Sequence, residues 1–227
     1  MTPRKGWMTT GRMVLLMSMA ILLVDQILKI WVKTHLRLHE TIDITGWFKI
    51  CFVENNGMAY GMEIGSKLLL SLFRIVLIGV IARYVWQLVG QGCKRGYVAC
   101  LTLILAGAVG NMIDGMFYGL VFNAASEYYV SFPVPFGSGY APFMMGKVVD
   151  MFYFPIIESY WPQWMPFVGG EHFVFFSPVF NIADSCISVG AVGIMLFYRH
   201  EISQLSFCMR KRDHKSGDTC KECETKD

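Results

Sequence analysis

The chain has 227 residues, of which 54% are hydrophobic and only 16% charged, and its mean hydropathy is +0.44. Such a balance points to a polytopic membrane protein and excludes a disordered or highly charged chain. A formal charge of +3 is too small to argue for nucleic acid, and seven cysteines scattered through apolar segments and the tail form no disulfide framework.

Arg4, Lys5 and Arg12 precede an apolar run from Met13 to Val24. A secretory leader starts the same way, but here no small-residue cleavage site follows and the run continues through Asp25, Lys29 and Val32. The segment 13–32 is therefore read as an uncleaved first transmembrane helix, close to the ~20 residues that a bilayer requires. From Lys33 to Lys67 the pattern changes. Thr41–Ile44 and Phe48–Val53 carry the β-branched and aromatic runs of short strands, and Asn55-Asn56-Gly57 supplies a turn.

A second span is expected over 68–89 and a third over 97–121, joined by a short, basic, glycine-rich connector at 90–96. The segment 122–177 is long, aromatic and rich in Gly and Pro, and within it Gly146–Phe154 reads as a strand. A fourth span is expected over 178–198, followed by a polar tail at 199–227 that contains a lone Cys220-x-x-Cys223. The expected fold is a single mainly α membrane domain: four transmembrane helices, a small β element and a long loop cap. Lys and Arg at the N-terminus, the connector and the tail place both termini in the cytoplasm and segments 33–67 and 122–177 outside. Lys33, Arg37, Lys49 and Lys67 fit that rule less well.

In this topology Asp25, Lys29, Asn111, Asp114, Asn181 and Asp184 all fall in the outer halves of their helices, and Asn55 and Asp150 in the outer segments. An intramembrane carboxylate costs several kcal/mol unless it faces protein or water, so a shared depth argues for a site. Asp25 and Lys29, four apart, are spaced as a helical ion pair. Asn111 and Asp114 repeat the spacing of Asn181 and Asp184, and Gly107, Gly110 and Gly115 would let a neighbouring helix approach closely.

Serine chemistry lacks a base, because none of the five histidines lies within an expected span. His35 and His39 lack the glutamate placement of a zinc peptidase. Carboxylates remain. Two aspartates sharing one site hold a single proton between them and can activate water. Asp184 is one member; spacing leaves Asp25, Asp114 and Asp150 open as the other. A carrier or channel subunit with a polar pathway is the competing reading, and it predicts polar groups at several depths rather than one.

The motifs resemble those of lipoprotein signal peptidase (signal peptidase II), a bacterial membrane aspartic peptidase. The likeness runs in order through Asp25-x-x-x-Lys29, Asn55-Asn56-Gly57-Met58-Ala59, Gly107 to Asp114, Val148-Val149-Asp150 and Phe180 to Ser185. It implies that Asp150 and Asp184 are the catalytic pair, without a metal or other cofactor. They would cut a prolipoprotein before a diacylglyceryl-modified cysteine, at the outer face of the bacterial cytoplasmic membrane. Asp25, Lys29, Asn55, Gly57, Asn111, Asp114 and Asn181 would line or brace the site, membrane lipids would surround it, and the cyclic peptide globomycin would occupy it. Two departures stand out. The family commonly has Arg where this chain has Gly115, and the stretches 122–146 and 154–177 are longer than in compact members. Trp161, Trp164 and Phe167 are expected to rest in the membrane interface.

Overall fold

The computed structural model describes residues 9–56, 64–91, 93–155, 157–160, 162–167, 169–175, 178–199 and 201. Gly57, Trp161 and the Cys220/Cys223 pair lie outside the described residues.

Among the described residues, three helices are long and apolar enough to cross a membrane. The first, α1 (Thr10–His35), starts where the Thr9 side chain accepts the Arg12 N–H, an N-cap that satisfies an otherwise orphaned donor. It runs past the expected end, so Lys33 belongs to the helix and not to a loop. α2 spans Ile64–Gln91. α3 (Arg95–Ile113) passes into a π turn (Asp114–Tyr118) and a last helical turn, α4 (Gly119–Val121).

The fourth expected span is shorter than its sequence suggests. α5 covers Ile182–Phe197, 16 residues, or about 24 Å against about 30 Å of hydrocarbon. Its predicted first residues are taken by a strand, β6 (Val179–Phe180), and Asn181 then caps the helix.

The helices are inverted relative to those of a water-soluble protein. Only 11% of the apolar window of α1 and 6% of that of α2 is buried. Leu15, Leu16, Leu23, Ile27, Leu69, Phe73, Val76 and Trp86 point outward, whereas Asp25, Lys29 and Lys33 are fully buried. Apolar residues outside and ions inside suit lipid as the solvent.

β1 (Thr41–Thr45), β2 (Phe48–Asn55), β3 (Val148–Tyr153) and β6 form an antiparallel sheet in that order, with Val53 opposite Asp150 and Phe152 opposite Phe180. Asp150 therefore sits on an interior strand. A separate hairpin pairs β4 (Ile157–Tyr160) with β5 (His172–Phe175). In the connection between its two strands Trp164 and Phe167 are exposed.

Segment 122–146 folds back over the π turn. Gly146 N–H donates to the Gly115 carbonyl at 2.8 Å and Ala141 N–H to the Gly119 carbonyl at 3.0 Å. Met144 takes φ 67°, and here the neighbouring carbonyls meet α2: Ser71 Oγ donates to Met144 O at 3.2 Å and Lys67 Nζ to Met145 O at 2.9 Å. Lys33 and Lys67, two of the four cations that fitted the charge rule poorly, are thus helical and internally partnered.

One apolar cluster (Val32, Leu36, Phe52, Tyr118, Phe122, Val149, Met151) joins the end of α1 to the sheet and the π turn. A second, around Val85, Leu88, Tyr97, Val98 and Ile194, closes the far end of the bundle. Between them α3 and α5 meet through glycine. A Cβ on Gly107 would come 2.3 Å from the Ala183 carbonyl oxygen, and one on Gly110 would come 2.8 Å from an Asp25 oxygen. Gly115 differs from the expectation: it faces the Gly146 carbonyl of the cap, with room for a Cβ at 3.9 Å, rather than a helix. Gly107→Ala tests this packing. Helix propensity alone favours Ala by about 1 kcal/mol, but overpacking against fixed backbone costs about 1–3 kcal/mol. A lower melting temperature in detergent is the expected outcome; an equal or higher one would mean that the helices separate freely.

Candidate active site

The polar groups meet where the sheet lies across the ends of α1, α3 and α5. α1 contributes Asp25, Gln26 and Lys29. The Lys29 ammonium lies 2.9 Å from Asp25 Oδ2 and 2.8 Å from Asp114 Oδ2, with all three side chains fully buried. Its remaining proton goes to Asn111 Oδ1 at 2.8 Å. An ammonium has three donors and no acceptor, so Lys29 is fully engaged.

That engagement orients the next residue. Because Lys29 can only donate, Asn111 must turn its carbonyl oxygen toward it, which aims Nδ2 at Asp184 Oδ1, 2.7 Å away. Asn181 is fixed by the same logic from the other side. Its Oδ1 accepts the Asp184 backbone N–H at 2.9 Å as the N-cap of α5, leaving Nδ2 to donate to Asp150 Oδ1 at 2.6 Å. The Asn181 amide also reaches the Val149 carbonyl and Asn111 Oδ1, each at 3.2 Å. Asn55, at the end of β2, donates to Asp150 Oδ2 at 3.3 Å. Each of the two carboxylates is therefore held by an amide whose orientation is set elsewhere.

Asp25 and Asp114 lie beneath this pair. Asp25 Oδ1 accepts the Ala183 N–H at 3.1 Å, placing a carboxylate at the positive end of α5. Asp114 receives Gln26 Nε2 at 2.9 Å and the Val149 N–H at 3.4 Å. Asp114, next to Gly115, is thus balanced by Lys29 from α1. Ser185 Oγ donates to the Asn181 carbonyl at 2.9 Å. His35 ends α1, stacked on Trp31, and His39 lies beside Glu127 at 3.9 Å, both away from the cluster.

Burial separates the two upper carboxylates. Asp150 is 2% exposed, whereas Asp184 is half-buried. Loss of water raises the Asp150 pKa, and the negative charge of Asp184 raises it further, to about 7 against the donors on Asn55 and Asn181. A carboxyl that keeps its proton near neutrality beside a wetter carboxylate can donate to a carbonyl while the other takes a proton from water.

Gln26, which no motif singles out, joins Asp25, Asp114 and the Gly110 carbonyl through its amide, and its Oε1 accepts from Tyr118. Glu54, which pairs with Lys33 of α1 and with Lys147 ahead of β3, is not singled out by any motif either. The available signal was spacing: Lys33 continues the i, i+4 stripe of Asp25 and Lys29.

Apolar outer faces around a buried ionic interior, capped by a small sheet, define an integral-membrane protein with a candidate active site. The family model described as signal peptidase (SPase) II matches residues 17–199. The chain belongs to the signal peptidase II family. It is 48% identical to the lipoprotein signal peptidase of Porphyromonas gingivalis, over 86% of each chain. Against the lipoprotein signal peptidase of Amoebophilus asiaticus it is 33% identical, over 88% of this chain and 81% of that one. A bacterial membrane enzyme solved by the in meso method at 1.9 Å has the same fold, with a TM-score of 0.52 at 20% identity over 81% of this chain and 90% of the other.

Proposed function

We infer that Asp150 and Asp184 form the catalytic dyad with which this enzyme removes signal peptides from prolipoproteins. Family membership carries the reaction, hydrolysis of a signal peptide from a prolipoprotein. The observation that supports the dyad is that Asp150 and Asp184 are each gripped by an oriented amide, while Asp25 and Asp114 are committed to Lys29.

In this reading Asp184 removes a proton from a water lying between the carboxylates. The resulting hydroxide attacks the scissile carbonyl carbon, and Asp150 gives its proton to the carbonyl oxygen. As the tetrahedral intermediate collapses, the C–N bond breaks and the proton taken by Asp184 passes to the leaving nitrogen. The gem-diol proton that is released restores Asp150. The scissile bond precedes a diacylglyceryl-modified cysteine, whose acyl chains extend into the lipid against the apolar helix faces. Globomycin-type peptides would occupy the same place. The enzyme lies in the bacterial cytoplasmic membrane with both termini cytoplasmic and the dyad near the outer face, as the basic N-terminus, connector and tail favour.

The test is cleavage of a lipidated prolipoprotein by the purified enzyme as a function of pH. Asp150 acts while protonated, so its raised pKa keeps the acid present up to neutrality and loses it above. The rate should fall as pH rises through about 7. A rate that stays level across that range would exclude Asp150 as the acid.

A further inference from the structure

Next to the site lies a second buried ionic cluster. Lys33, one turn beyond Lys29, is fully buried and pairs with Glu54 Oε1; the Glu54 side chain is 3% exposed. Lys147, partly exposed, lies 3.1 Å from the other oxygen of Glu54, an ion pair without hydrogen-bond geometry. The Lys33 ammonium also lies 5.7 Å from the Phe52 ring centroid, 5.4 Å from that of Phe122 and 5.2 Å from that of Tyr140. Such a ring cage stabilises a desolvated cation. Tyr140 closes the set by accepting the Lys147 N–H at 2.7 Å.

The position of this cluster in the sheet matters. Glu54 pairs in register with Val149, and Asn55 with Val148, so the anchored residue immediately precedes the one that donates to Asp150. Lys33 ties the end of β2 to α1, and Lys147 ties it to the start of β3. Neither touches Asp150 or Asp184. Removing one partner from such a buried set leaves an uncompensated charge, so the strand end is held where all three charges stay paired.

We propose that Glu54, clamped between Lys33 and Lys147, is a positioning residue that holds the Asn55 amide on Asp150. This rests on the dyad reading for its catalytic consequence, but not for the contact itself. The charged groups facing the cluster are Lys33 from α1, Lys147 before β3, Lys67 from α2 and Asp114 at the end of α3. Asp150 is acted on by the charges of Asp184 and Lys29 and by the neutral amides of Asn55 and Asn181.

The experiment uses the full chain in detergent and two readouts. One is the infrared band of the protonated Asp150 carboxyl, identified by its loss in Asp150→Asn. The other is kcat and KM for a lipidated prolipoprotein. The Asn55 donor holds the Asp150 pKa down, so Asn55→Ala should move the titration of that band to higher pH. Glu54→Gln should move it the same way, and the double variant no further. Glu54→Gln should also lower kcat by roughly ten- to a hundredfold, as expected for small misplacement, with KM within about twofold of wild type. Lys33→Met/Glu54→Gln removes the buried ammonium together with the carboxylate and guards against misfolding of the single variant; it should show the same band shift. A band titrating as in wild type in these variants, or shifts that add to that of Asn55→Ala, would overturn the proposal. Cleavage retained by Asp150→Asn would instead sink the dyad, while the band titration still decides the role of Glu54.

Discussion

Asp150→Asn and Asp184→Asn should each abolish prolipoprotein cleavage, by roughly 10³-fold or more, since groups acting as one unit fail together. Both substitutions keep side-chain shape, and each carboxylate already faces an amide donor, from Asn181 to Asp150 and from Asn111 to Asp184. The fold should survive either change, because the Lys29 cluster below is untouched. The double variant should be no slower than the worse single one. The measurement is cleavage of a lipidated prolipoprotein in detergent, with melting temperature as the control for folding. Undiminished cleavage by either single variant would remove that residue from the chemistry.

Lys29→Met should have the largest effect on stability. The ammonium neutralises two fully buried carboxylates, Asp25 and Asp114, at 2.9 and 2.8 Å. Removing one partner from a buried ion cluster leaves uncompensated charge and costs about 3–5 kcal/mol. It also frees the Asn111 amide to rotate, because nothing else on Oδ1 matches the charge-assisted bond from Lys29. Asp184 then loses a defined donor. The expected result is a large fall in melting temperature in detergent, with activity lost in parallel. Lys29→Met/Asp114→Asn, with one charge fewer to bury, should recover part of the stability but little of the activity. A single variant that melts like wild type would show that Asp25 and Asp114 take up protons at no cost.

The main elements were legible because lipid imposes a simple rule: a spanning helix must be apolar over its length, and α1, α2 and α3 are. Their ends were less legible. α1 extends to His35 because Lys33, which reads as the start of a loop, is held inside by Glu54 and three aromatic rings. α5 loses its first predicted residues because Val179 and Phe180 hydrogen-bond to β3. Strand pairing over so long a sequence separation leaves no trace in local composition. The π turn at Asp114–Tyr118 is likewise a backbone event that no side-chain pattern announces.

The sequence alone determined that this is a membrane protein, since its spans are apolar over their length, and it led to the expectation of one shared depth for the polar residues of the spans, with Arg83 of α2 the exception. It also favoured carboxylates over histidines or serines as the reactive groups, the expectation on which the proposed dyad builds. Spacing could not choose the aspartate that accompanies Asp184. The tertiary structure decided where each one goes: Asp25 and Asp114 are drawn to Lys29 by charge, and Asp150 is carried on an interior strand to the amides of Asn55 and Asn181. That outcome depends on which groups meet across five separate elements, and pairing at a distance is a property of the folded chain.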